Sequence, residues 1–196
     1  KNIIGLRLVQ QCRVDLARRG KEYSYSELAA EAEAAPPLAT ILDPDHPPFM
    51  LPGGMLDKIA AYAKQTGQPI PASAGEAVRS CLETLALTYR RTLTSLESVT
   101  GARYEVLHIV GGGSKNELLC QMTADALGRV VVAGPDEATA AGNILTQALG
   151  SGDVADLSQI RQLVSASWNP IRYNPGKSTG WDEAYGRFLA LRGESP

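Results

Sequence analysis

The chain contains no run of about eighteen apolar residues, so it offers no helix able to cross a membrane. No basic leader precedes an apolar stretch and a small-residue cleavage site, which leaves no sign of export. Basic residues number 19 against 21 acidic ones, for a formal charge of −2, and no basic stripe runs along any segment. A nucleic-acid partner, which would need such a stripe, is not expected. Cysteine is scarce. Cys12, Cys81 and Cys120 are far apart, odd in number, and match neither a zinc spacing nor a disulfide framework. They read as small buried hydrophobes in a reducing cytoplasm. The chain opens on Lys1 rather than Met, so a natural start upstream is expected. What is present is 196 residues, 44% hydrophobic and 20% charged, enough for one domain with a substantial core.

Ile4, Leu8, Cys12 and Leu16 recur every four residues and predict a helix over 3–19, ended by Gly20. Ser24 and Glu27 form a capping-box pattern before a short alanine-rich helix that reaches Ala35. From Pro36 to Gly54 the chain is rich in proline and glycine and shows no periodic pattern, the mark of an irregular excursion packed on a neighbour or used in function. A helix from Met55 through Ile59 and Tyr62 to Gly67 follows. The longest helix is expected from Ser73, which pairs with Glu76 in a second capping box. Val78, Leu82, Leu85, Tyr89, Leu93 and Leu96 keep one of its faces apolar until Gly101.

Residues 105–110 then read as a short buried strand, stopped by Gly111, Gly112 and Gly113. A helix over about 115–127 and a second buried strand over 129–133 follow, giving the arithmetic of a parallel βαβ unit. Helices over 137–149 and 156–165 come next. The last helix is expected to start at Thr179, with Asp182 completing a capping box and Trp181, Tyr185 and Phe188 on its buried face. An α/β sheet covered by helices is the natural architecture. Two strands are too few to organise about seven helices, so further strands are expected ahead of Lys1.

The stretch that carries chemistry is Gly111-Gly112-Gly113-Ser114-Lys115-Asn116. Glycines at the carboxyl end of a parallel strand let a flat or anionic ligand approach the backbone with no Cβ in the way. The helix that follows presents unpaired N–H groups, and Asn116 can both donate and accept there. The pattern is neither a P-loop nor a dinucleotide fingerprint, because Asn116 stands where the last glycine would be. The residues by themselves fit a ligand-free strand-to-helix turn equally well. In the second turn, Gly134 to Gly142, Asp136 and Glu137 favour a helix start by their charge, and the small residues suit tight packing. His108 reads as a core or sheet-face histidine, and His46 as a solvated loop residue. Asp43 and Asp45 read as makers of local turn hydrogen bonds. No metal cluster, carboxylate pair or nucleophilic triad emerges.

The strings HIVGGGSKNELLCQMTADALGR and VVAGPDEATAAGNILTQAL resemble the C-terminal lobe of the FGGY carbohydrate kinases, within the actin-like ATPase superfamily. KNIIGLRLVQQCR, DPDHPPFMLPGGM and TGQPIPASAGEAVRSCLETLALTYR extend the likeness over residues 2 to about 150, and favour the branch that acts on L-rhamnulose over those that act on xylulose or glycerol. The resemblance implies an α/β, RNase H-like lobe, truncated at its N-terminal side, with residues 1–196 forming the nucleotide-binding C-terminal part. It implies ATP-dependent phosphorylation of a sugar hydroxyl, with magnesium, in a cleft between two lobes. Gly112 matches the family's nucleotide-contacting glycine and Asn116 its adenine-contacting asparagine, with Gly111, Gly113 and Ser114 as neighbours at the same place. Glu137, Ala138 and Thr139 match a recurring motif and are assigned to packing. The base, the sugar contacts and the first phosphate loop are expected upstream of Lys1, so no catalytic or metal-binding residue is assigned here. The rival readings are a catalytically silent actin-like interaction module and an unrelated nucleotide-binding α/β domain.

Overall fold

The computed structural model describes residue 3, residues 5–176 and residues 179–194. Helix α1 (Arg7–Arg18) buries Leu8, Val9, Cys12 and Leu16, the apolar spacing of the sequence, but begins later than expected. Gly5 turns the chain just before it with a φ of +60°. Ile4, the expected first position of that face, lies outside the described residues. Helix α2 (Tyr25–Ala34) carries the full capping box: the Glu27 N–H donates to Ser24 Oγ at 3.1 Å, and the Ser24 N–H donates to the Glu27 carboxylate at 2.7 Å. Helix α5 (Ala74–Thr100) starts from half of one. Ser73 Oγ accepts from the Glu76 N–H, while the Glu76 carboxylate takes the N–H of Ala72 instead of that of Ser73.

The proline-rich excursion is docked on α5 rather than loose. It contains one short helix, α3 (Pro47–Met50), which proline can open because its missing N–H is an unpaired one there. It leads into α4 (Met55–Gln65). Buried backbone needs partners, and side chains supply them here. Gln68 clips Ile41 by accepting its N–H at 2.9 Å and donating to its carbonyl at 2.8 Å. Thr84 accepts the Leu42 N–H, and Glu83 takes the Leu38 N–H on both oxygens at 2.9 and 3.0 Å. Leu38 adopts a positive φ of 54°, and Arg187 donates to its carbonyl at 2.6 Å. His46, expected in solvent, packs edge-on against Phe49 and Tyr62 instead. Asp43 does make the expected local bond, to the N–H of Asp45, but both carboxylates also pair with Arg192 near the far end of the chain.

That distant cation follows α9 (Trp181–Leu191). The helix begins after Gly180 (φ +99°) with no side-chain cap, so the capping box expected from Thr179 and Asp182 is not formed. Asp182 pairs with Arg90 at 2.7 Å instead. Trp181, Ala184, Phe188 and Leu189 join a continuous core built by α1, α2, α4, α5 and the helix α6 (Glu117–Leu127). The closest approach within it is between α2 and α5: a Cβ on Gly75 would stand 2.3 Å from the Glu31 carbonyl oxygen.

The sheet has three strands in the order β1 (Val106–Ile109), β2 (Val130–Ala133), β3 (Ile171–Tyr173). The first two run parallel, with Ile109 opposite Ala133. The third was not anticipated. It is antiparallel to β2 and comes from later in the chain, not from ahead of Lys1. One face rests on α5 and α6 through a small second core of Ile109, Cys120, Ala124, Val131 and Ala133. On the other face Val106, His108 and Val110 are exposed, so His108 is a sheet-face residue. Helix α7 (Ala138–Ser151) buries Ala141 alone, and α8 (Leu157–Ser167) buries nothing. The tight packing expected of Ala138, Thr139, Ala140 and Gly142 is therefore not present among the described residues.

Candidate functional site

The parallel pair brings two turns side by side at the carboxyl ends of β1 and β2, where open α/β sheets bind their ligands. Backbone bonds join them. The Gly134 N–H donates to the Ile109 carbonyl at 2.8 Å, and the Gly111 N–H donates to the Pro135 carbonyl at 3.0 Å. Gly111 takes a φ of +72°, a conformation glycine adopts without a steric penalty. The glycines then close into a single 3-10 turn, Gly111–Lys115, so α6 begins two residues later than the sequence suggests.

Each expected site residue now has a place. Gly112 faces open space: nothing lies within 4 Å of a Cβ built on it, and it is exposed. Gly113 is closer to the sheet, where a Cβ would touch the Ile109 side chain at 3.4 Å. Ser114 is buried, and its hydroxyl is spent inside the turn on the Gly111 carbonyl at 2.7 Å. Asn116 is the N-cap of α6, with Oδ1 accepting from the Leu119 N–H at 2.9 Å. The cap uses the carbonyl oxygen of the side chain and leaves its amide nitrogen as a donor at the start of α6. One residue thus caps the helix and keeps a donor uncommitted to that cap.

Sequence reasoning missed the pair that spans the two turns. Lys115 Nζ lies 2.9 Å from the Asp136 carboxylate, so a cation from the first turn meets an anion from the second. Each shifts the other: Asp136 holds the Lys115 ammonium above its ordinary range, and Lys115 holds the Asp136 carboxyl below its own. The usable signal was positional. Both residues follow a buried strand by a few positions, and parallel neighbours end side by side. Below the turn, Cys120 Sγ sits 3.8 and 3.9 Å from the carbonyls of Gly113 and Ser114, and burial pushes its thiol up to about 11. Such a thiol is inert, as expected. Among the described residues no group of three or more His, Cys, Asp or Glu side chains could hold a metal ion, and no helix is long and apolar enough to cross a membrane.

A glycine turn open to solvent, at the end of a parallel strand and before a capped helix, marks an α/β lobe. The chain belongs to the FGGY family of carbohydrate kinases: residues 1–151 match the C-terminal domain of that family. Its curated relatives include a rhamnulokinase of Bacteroides thetaiotaomicron, 42% identical over 188 residues, which covers 96% of this chain and 38% of that protein. A rhamnulokinase of Enterococcus faecalis is 41% identical over 184 residues, covering 91% and 36%. The chain thus spans less than two-fifths of the length of these relatives. Among solved structures, the xylulose kinase of Rhodospirillum rubrum superposes with a TM-score of 0.64 at 23% identity, over 96% of this chain and 37% of that one. Plasmodium falciparum glycerol kinase, solved with ADP, gives 0.61 at 17% identity, over 91% and 34%. At such identities the likeness establishes the fold.

Proposed function

We propose that residues 1–196 are the nucleotide-binding C-terminal lobe of a cytoplasmic kinase that transfers the γ-phosphate of ATP to a sugar hydroxyl, converting L-rhamnulose to L-rhamnulose 1-phosphate. The observation that carries the reading is the open space above Gly112 at the carboxyl end of β1, with Asn116, whose cap bond uses only its carbonyl oxygen, four residues on. A purine can lie against a backbone that has no Cβ, while the amide nitrogen donates to a ring nitrogen. The sugar named here follows the two rhamnulokinases, 42% and 41% identical to this chain.

ATP fits this lobe by its adenosine end: the glycine turn supplies room, Asn116 a donor, and the start of α6 unpaired N–H groups. Magnesium would neutralise charge on the phosphates. Its ligands are sought in ATP and in parts of the polypeptide outside the described residues, where the base and the sugar contacts also belong. Phosphoryl transfer depends on positioning and charge neutralisation from all these parts together, so no residue here is given a catalytic role. The lobe's own task is to bind and orient. An alternative, a silent interaction module, draws on the bare apolar faces of α7 and α8.

The test uses the complete polypeptide that carries this chain. Coupled ADP release is expected with L-rhamnulose and magnesium ATP, and is expected to be slower with D-xylulose. Gly112→Val should weaken ADP binding at least about tenfold, which is ~1.4 kcal/mol, without lowering the melting temperature, because its Cβ has no protein atom within 4 Å. Asn116→Asp keeps a good helix cap but loses the donor, and should weaken ADP by about 0.5–1.5 kcal/mol at similar stability. If both variants bind ADP as the parent does, the glycine turn is only a turn. Absence of any sugar-dependent turnover would favour the interaction module.

A further inference from the structure

Asp136 is an anion that the fold does not need for its stability. Its pair with Lys115 is largely exposed, 64% and 38% for the two side chains, and exposed pairs stabilise proteins little. The pair nevertheless holds the carboxylate in one place, at the mouth of β2. Asp136 stands three residues past Ala133, which is opposite Ile109 in the register, and Gly112 stands three residues past Ile109. The chain turns after both strands, and the two turns stay in contact: the Gly111 N–H donates to the Pro135 carbonyl at 3.0 Å, and a Cβ built on Gly111 would stand 3.9 Å from the Asp136 carbonyl oxygen. The carboxylate thus borders the turn over which a purine would lie.

The chemistry of the carboxylate selects among the parts of a nucleotide. Oδ2 takes the Lys115 ammonium and Oδ1 accepts the N–H of Glu137 at 3.1 Å. An ionised carboxyl has about four lone-pair sites, so both oxygens can still accept. It can only accept, and it repels phosphate. A hydroxyl is the one group of an adenosine phosphate, apart from the purine amine, that can donate to it. Lys115, 2.9 Å away at the end of the glycine turn, holds the carboxylate against that turn and lowers it further below its ordinary range. The same division of labour, a glycine turn after one strand and an acid near the end of the next, is how other βαβ units hold a ribose, which is an analogy of layout and not of descent.

We propose that Asp136, positioned by Lys115, accepts a hydrogen bond from a ribose hydroxyl of the nucleotide and makes the site prefer ribonucleotides to deoxynucleotides. The proposal rests on the nucleotide reading of the glycine turn and adds its sugar specificity.

Calorimetric titration of the complete polypeptide with ADP, 2′-deoxy-ADP and 3′-deoxy-ADP tests it. The parent should bind ADP about tenfold more tightly than at least one of the two analogues, the size expected of a hydrogen bond to a charged group. Asp136→Ala should bring that ratio to about one while keeping the parent's melting temperature. A purely structural role would weaken all three ligands alike and leave the ratio standing. The proposal is overturned if the parent binds all three equally, or if Asp136→Ala keeps the parent's ratio. Gly112→Val separates the two levels. If it weakens ADP while Asp136→Ala keeps the ratio, only the ribose contact falls; if it leaves ADP unaffected, the nucleotide site falls with it.

Discussion

Helix α5 buries Val78, Cys81, Leu82, Leu85 and Leu87 on more than one side, whereas α7, with a comparable share of apolar residues, buries Ala141 alone. The contrast extends to the regions around them. In the helical body the chain meets itself at every turn: α2 touches α5 backbone to side chain, the proline loop is clipped to α5, and α9 closes over both. At the sheet end the second core is five residues, one sheet face is uncovered, and no strand pairs with the outer edge of β1 among the described residues. The body is a densely packed unit, and at the sheet end Cys120 of α6 lies under the glycine turn. The sheet end is the open one, where the proposed nucleotide contact lies. Dense packing and open loops are thus divided between the two regions, as expected where binding loops sit on a rigid scaffold.

The largest expected effect compares two apolar side chains. Phe188 is fully buried in α9, and Phe188→Ala should cost about 3–5 kcal/mol from lost burial and the cavity left behind. Ile144 in α7 is 66% exposed, and Ile144→Ala should stay within about 0.5 kcal/mol. Urea unfolding of this chain measures both. Comparable losses would mean that the two regions are not differently packed.

The next effect turns on sign. Alanine is the better helix former by about 1 kcal/mol, so Gly→Ala within a helix ordinarily stabilises. Gly142→Ala in α7 should do so by about 0.5–1 kcal/mol, because nothing lies within 4 Å of the new Cβ. Gly75→Ala should instead destabilise by about 1–3 kcal/mol or more, since its Cβ would drive α5 off the α2 backbone. Thermal melts of the two variants decide it. A loss for Gly142→Ala in the complete polypeptide, but not in this chain, would sharpen the comparison by placing a partner on α7.

The smallest effect is in pH dependence, where the two regions should move in opposite directions. In the body, burial pushes the Glu83 carboxyl above its ordinary range, more than the Leu38 N–H, Arg79 and Arg187 lower it. The folded state then binds a proton there more readily than the unfolded chain does. The stability this adds is fully present below the unfolded pKa and is lost as pH rises through the folded one. At the sheet end, Arg129 holds the Glu97 carboxyl below its ordinary range. That contribution is present above the unfolded pKa and is lost as pH falls through the depressed one. On acidification from neutral toward the ordinary carboxylate range, the parent should gain stability relative to Glu83→Gln, while its margin over Glu97→Gln stays level and closes only at more acid pH. Parallel curves for the parent and Glu83→Gln would refute the first half.

Much of the helical body was legible because its signals are local. Ser24 with Glu27, the four-residue apolar spacing of α1, and Gly101 in the left-handed conformation at the end of α5 each act within a turn or two of helix. The parallel strand pair and the glycine turn were legible for the same reason, since a buried apolar run and a glycine stop need no distant partner. β3 was not. Ile171-Arg172-Tyr173 is too short to show a period, and it is a strand only because the free side of β2 pairs with it. Helix α9 was misplaced at its start because Gly180, not Thr179, turns the chain, and Arg90 draws Asp182 away from capping.

The sequence by itself determined the helices of the body, the βαβ unit, and the likeness to a kinase family, all of which depend on residue order over short spans. Only the tertiary structure decided which polar groups serve as struts and caps. Asn116 is a cap as well as a donor because α6 begins at Glu117, and Asp43 and Asp45 serve Arg192, 149 and 147 residues away. Lys115 meets Asp136 because parallel strands end side by side. Such meetings follow from packing energy summed over the whole core, and no local pattern of residues encodes that sum.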